Sequence, residues 1–173
     1  MADPQPSFSF TMGFEDPKLE GKIVPDPTRA DPSAVARFGV NSASHAQAVR
    51  DGFYEMGHAA ALQYAEDVFK YDYFHPVGGY SIVSQTIANK IVDLAFNESP
   101  HQAILIVQRA LQFADNQIDG IVGTFTLSAI NAADPVVLLA SIKDKAKDFY
   151  MEVASKNPAD EKDLAGWLRR VDA

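Results

Sequence analysis

Cysteine is absent from the 173 residues. Disulfides and thiolate chemistry are therefore excluded, and stability has to come from the core. Basic residues are scarce: 15 Lys and Arg stand against 23 Asp and Glu, a formal net charge of -8. A general nucleic-acid binder needs clustered cations to neutralise phosphates, so that class is disfavoured. An acidic surface also gains nothing from an anionic membrane. No apolar run approaches the ~20 residues of a membrane span. The opening "MADPQPSFSF" lacks the basic and then apolar regions of a Sec signal, so the expectation is synthesis in the cytoplasm. The four histidines, His45, His58, His75 and His101, include no i,i+4 pair, and neither a metal nor a cofactor is expected. "DGIVGTFTLSAI" lacks a P-loop lysine, and no G-x-S-x-G elbow seats a nucleophilic serine. What is present is 47% hydrophobic residues, enough for a sizeable core in one domain.

The N-terminal 1–7 reads as a flexible leader because its two prolines precede any periodic pattern. Phe8, Met12 and Glu15 recur at helical spacing beside the Phe10–Phe14 pair, which predicts a helix from about Ser7 to Glu15. Asp16-Pro17 stops it. Residues 16–44, with Pro17, Pro25, Pro27 and Pro32, form a long connection of the kind that carries function. Within it, "KIVPDP" and "ARFGV" suit a small hairpin. Helical stripes then follow in "HAAALQYAEDVFKYDYF" and "SIVSQTIANKIVDLAFN". Ser99-Pro100 and Asp134-Pro135 start two more helices, as N-cap and N1 residues do. "ADEKDLAGWLRRV" predicts a last one. The fold class is all-α with one small β-hairpin.

The chemistry these residues suit best is glycoside hydrolysis. It needs a carboxylic acid in a partly apolar seat and a group that positions water or stabilises positive charge. Glu15 closes the Phe-rich helix; Glu20, beside Lys18 and Lys22, is the alternative acid. Polar groups beside aromatics gather at Arg37 and Asn41, at Tyr71 and Tyr73, and at Asp93 and Asn97, which share a helix face. Each can be structural, and together they suit the lining of a sugar cleft.

The order of "RFGVNSASH", "AEDVFKYDYF", "DLAFNESPHQA", "VQRAL", "IDGIVGTFTLSAIN" and "AGWLRRV" behind a helix that ends in Glu resembles the glycoside hydrolase family 108 muramidases. These are the secretion-activating protein type, with a C-terminal peptidoglycan-binding region. The resemblance implies a lysozyme-like helical fold, with a muramidase catalytic region at 8–98 and a peptidoglycan-binding region at 99–173. It implies cleavage of the β-1,4 bond between N-acetylmuramic acid and N-acetylglucosamine, and action on peptidoglycan in the periplasm or cell wall after release or export. A monomer is expected. It carries the catalytic acid onto Glu15, with Glu20 as the alternative, and makes Asp26 the second carboxylate. Arg37, Asn41, Tyr71, Tyr73, Asp93 and Asn97 become substrate-binding residues. The chain departs from the family where Asp16-Pro17 replaces Gly-Gly, Ala36 or Arg37 stands for a threonine, and Phe74 stands for a tryptophan. Those departures motivate an alternative: a catalytically weak peptidoglycan-binding module that retains the fold.

Overall fold

The computed structural model describes residues 1–28, 30–157 and 161–173. Helix α1 spans Pro4–Glu15. Three short strands follow, β1 (Val24–Pro25), β2 (Val35–Arg37) and β3 (Val40–Asn41), forming an antiparallel sheet in the order β1-β2-β3. The helices after the sheet are α2 (Ala46–Arg50), α3 (His58–Val68), α4 (Gln85–Asn97), α5 (Pro100–Ala110), α6 (Thr124–Ala132), α7 (Pro135–Lys156) and α8 (Glu161–Asp172). Among the described residues no single helix is long and apolar enough to cross a membrane.

The expected leader is instead the start of α1. Asp3 accepts a hydrogen bond from the Gln5 N–H, and Pro4 occupies the first helical position, where a missing N–H costs nothing. Ala2 is buried and donates its N–H to the Ile82 carbonyl. The first residues are therefore tied to the loop before α4. Ser84, Ser99 and Asp134 cap α4, α5 and α7 through their side chains. Beyond α3 the chain continues as a π-helix over Phe69–Phe74, which turns both Phe69 and Phe74 into the core. In the predicted last helix, residues 159 and 160 lie outside the described residues.

α4 is the axle of the molecule, packing against α1, α5 and α7, while α8 lies on α7. Its Ile87, Ile91 and Leu94 are fully buried in one core that also takes Phe8 and Met12 from α1, Phe38 from the sheet, and Ile142 and Tyr150 from α7. Each such side chain removed from water stabilises the fold by roughly 1.5–3 kcal/mol. The core thus runs through both the 8–98 and 99–173 segments.

The sheet is held differently. Arg37 is buried and spends its guanidinium on backbone carbonyls: Nε donates to Gly21, and Nη1 to Phe53 and Met56 at 3.0 and 2.7 Å. Asp16 accepts the N–H groups of Glu20 and Gly21 at 3.0 and 2.7 Å. The His58 ring donates to the Leu19 carbonyl at 2.7 Å. Asp16-Pro17 therefore ends α1 and also supplies the acceptor that folds the following loop back under the sheet.

Candidate active site

Two clefts meet at the end of α1. One, about 320 Å³, is lined by Glu15, Glu20, Lys22, Asp26, Ala36 and Gly39, among others. The second, about 470 Å³, shares Glu15, Asp26 and Gly39 and continues past Asn41, His45, Tyr73 and Asn97 to Glu98 and Arg170. A third, about 400 Å³, continues from Asn97 and Arg170 to Phe14, Gly166 and Trp167. Shared lining residues make this one groove, with the Glu15 carboxylate at its junction.

Glu15 reaches that junction because α1 buries Phe8 and Met12 against α4 and stops there. The Phe38-Gly39 turn lies directly against it. Both residues have positive φ, 49° and 71°. A Cβ on Gly39 would come within 2.8 Å of the Phe96 ring and 3.3 Å of Glu15 Cγ, so only glycine lets the backbone pass. The glutamate itself is paired with Arg170, whose Nη1 donates to Oε1 at 2.5 Å. Its side chain keeps 26% of its surface exposed, enough to face a ligand in the groove.

Across the groove, Asn41 Nδ2 donates to the Asp26 carboxylate at 2.7 Å and to the Asp26 carbonyl at 2.8 Å, fixing that second carboxylate on the sheet side. Asn41 also contributes its carbonyl to His45 Nδ1 at 3.1 Å. Nδ1 thus carries the proton, and Nε2 accepts from the Tyr73 hydroxyl at 2.9 Å. Burial pushes the Tyr73 phenol up to about 12, and the charges of Asp72 and Glu15 add to it. Tyr73 is therefore a neutral donor on the groove wall.

The remaining expected residues lie in varied places. Asn97 lines the groove and donates to the Tyr150 hydroxyl at 2.6 Å. Asp93 is not open to a sugar: its side chain is only 3% exposed and receives Arg170 through Nε and Nη2. Arg37 lies under the sheet, and its donors are taken by carbonyls rather than turned to the groove. Tyr71 lines a separate cleft of about 570 Å³ with Arg50, Tyr64 and Asp67. Glu20 stands at the rim, 41% exposed and paired with Lys22, while Glu15 sits inside. "DGIVGTFTLSAI" is an internal brace: buried Gln108 bonds Asp119, Gly120 and Ile121, and none of the motif lines the groove around Glu15.

Sequence reasoning missed three groove residues. His45 and Glu98 sit within the motifs but carry no spacing signal. Burial pushes the Glu98 carboxyl above its usual range, against hydrogen bonds from Tyr150 and Asn97, although much of the residue is open to solvent. Arg170 is the third. Burial opposes its charge, but the Asp93 and Glu15 carboxylates more than offset that and hold it protonated. The described residues contain no cluster of His, Asp or Glu that would hold a metal ion.

Residues 102–172 match the family described as "Predicted Peptidoglycan domain". The fold is similar to that of Brucella abortus SagA, with a TM-score of 0.69 at 20% identity over 97% of this chain and 91% of that one. At that identity the likeness establishes the architecture, an all-α lysozyme-like fold with a small sheet. No curated protein matches the chain by sequence.

Proposed function

We propose that this protein is a peptidoglycan hydrolase that cleaves the β-1,4 bond between N-acetylmuramic acid and N-acetylglucosamine, with Glu15 as the general acid. The observation that carries the reading is the position of Glu15. It closes a helix seated in the core, at the junction of the groove, and shares two of its clefts with a second carboxylate, Asp26, held by Asn41. The match of residues 102–172 to a peptidoglycan family supports the substrate class.

In this reading the glycan lies along the groove and Glu15 donates its proton to the glycosidic oxygen as the bond breaks. Asp26 positions water or faces the oxocarbenium charge. The Tyr73 hydroxyl oxygen and the Asn97 side-chain carbonyl accept from sugar hydroxyls, and Phe96 and Trp167 lie along the same wall as apolar surface. The protein would act where wall glycan is found, in the periplasm or cell wall.

Turbidity clearance of chloroform-treated Gram-negative cells, with mass analysis for reducing muramic acid ends, tests this. Glu15→Gln is expected to lower the rate by roughly 10²–10⁴-fold, the usual contribution of a general acid. Glu20→Gln is expected to stay within about twofold. The assignment fails if Glu20→Gln is dead and Glu15→Gln clears normally.

A second reading is a binding module with little catalysis. Ala36 lines the groove wall and offers no hydroxyl to hold water there, and Glu15 is occupied by Arg170. Sedimentation with purified sacculi, without release of reducing sugar from any variant, would favour it.

A further inference from the structure

Arg170 is the cation that touches Glu15, and it comes from the other end of the chain. Its guanidinium is divided between two tasks. Nε and Nη2 fork onto Asp93, with Nη2 at 2.8 Å and Nε at 3.1 Å from Oδ1. Nη1 is left for the groove, donating to Glu15 at 2.5 Å and to Asn97 Oδ1 at 3.2 Å. The planar fork lets buried Asp93 set the direction in which Nη1 points. The Phe14 ring packs 5.2 Å from the guanidinium carbon and covers one face.

The backbone that carries this side chain is fastened as well. Buried Lys90 on α4 donates to the Arg170 and Val171 carbonyls at 3.0 and 3.1 Å. Two α7 lysines hold Asp172: Lys143 through the carbonyl at 2.7 Å, and Lys147 through the carboxylate. Three cations thus meet the C-terminal end of α8, where helix carbonyls lack partners. A surface ion pair needs no such support.

We propose that Arg170 is a positioning residue for Glu15, oriented by Asp93, so that the segment matching a peptidoglycan domain completes the catalytic site. The proposal rests on the muramidase reading for its consequence in turnover. Arg170 fixes the Glu15 carboxylate at the groove junction in the free protein. When substrate fills the groove, the side chain leaves this partner, takes up a proton from solvent and turns the resulting O–H to the glycosidic oxygen.

Replacing Arg170 alone would strand a buried Asp93 charge and threaten folding. The test is therefore the double variant Asp93→Asn/Arg170→Gln, beside Asp93→Asn alone and wild type. Fold is checked by circular dichroism and thermal melting, and kcat and KM on soluble glycan fragments are measured. The double variant is expected to lose roughly 10–100-fold in kcat, as misplaced catalytic groups do, with KM within about threefold. The other charged or titratable groups facing Glu15 are unchanged: Asp16, Glu20, Lys22, Asp26, His45, Tyr73 and Glu98. A purely structural Arg170 would lower the melting temperature and leave kcat where it was, which would overturn the proposal.

The carbon-13 chemical shift of the Glu15 carboxyl, compared at one fixed pH, reads the same contact without turnover. An unmoved resonance in the double variant, relative to Asp93→Asn, sinks the positioning role, even for a protein that only binds. Inactive wild type with a moved resonance in the double variant would instead overturn the muramidase reading and leave the contact standing.

Discussion

The segment from Asp16 to Gly57 and the pair α7–α8 are built on opposite principles. The first has few long elements, and polar side chains reaching backbone hold it: Arg37 on Gly21, Phe53 and Met56, Asp16 on Glu20 and Gly21, and Asn41 on Asp26. The second consists of capped helices with apolar seams, such as Leu138, Ile142, Ala146 and Tyr150 along α7. The turn-built wall offers unusual backbone directions and hence the close approach of Gly39 to Glu15. The helical wall offers a rigid base from which one arginine is aimed.

Substitutions should separate the two. Arg37→Met is the sharpest break for the turn-built wall. It leaves buried carbonyls without their charged donor, and about 4 kcal/mol of stability should be lost in urea denaturation. A loss below about 1 kcal/mol would mean that packing, not the fork, holds the sheet.

Lys90 probes the helical side through pH. Burial lowers it from 10.5 to about 8, against the pull of Asp93. The unfolded chain keeps that proton up to about 10.5 while the folded protein releases it near 8, so between these values the unfolded state binds more protons. The stability contributed by this group therefore rises with pH across that window and is flat below it. Relative to Lys90→Met, wild type should gain about 3 kcal/mol from pH 7.5 to 10.5, at 1.36 kcal/mol per pKa unit. A constant difference would show that Lys90 is not buried as an ammonium.

Asp16→Ala should have the smallest effect, about 1 kcal/mol, since water can replace its carboxylate at two partly open N–H groups. The loop should loosen all the same, with faster hydrogen exchange at Glu20 and Gly21. Unchanged exchange would leave Asp16 as no more than a helix stop.

The helices were legible because their signals are local. Ser99-Pro100 and Asp134-Pro135 announce their caps, and apolar stripes mark α4. Asp3-Pro4 carries the same start signal, but it was masked by Pro6 and by its nearness to the terminus, where loose chain is the usual expectation. The strands around "KIVPDP" and "ARFGV" were readable from their β-branched residues, whereas the π-helix over Phe69–Phe74 differs from α-helix by one residue of register and leaves little trace. Arg37 and Asp93 share one kind of misreading. A polar residue beside aromatics looks the same in sequence whether it faces a groove or is spent on a buried partner, and burial is a tertiary fact. Arg170 was the least accessible of all, because no periodicity links it to Glu15.

That separation in sequence also sets a schedule. Glu15 and Arg170 are 155 residues apart. On a ribosome adding about 5–20 residues per second, Arg170 follows Glu15 by roughly 8–30 seconds. Throughout that interval the growing chain carries its candidate acid without the cation that aims it. The junction of the groove thus cannot be completed until α8 has been made, however early α1 itself begins to coil.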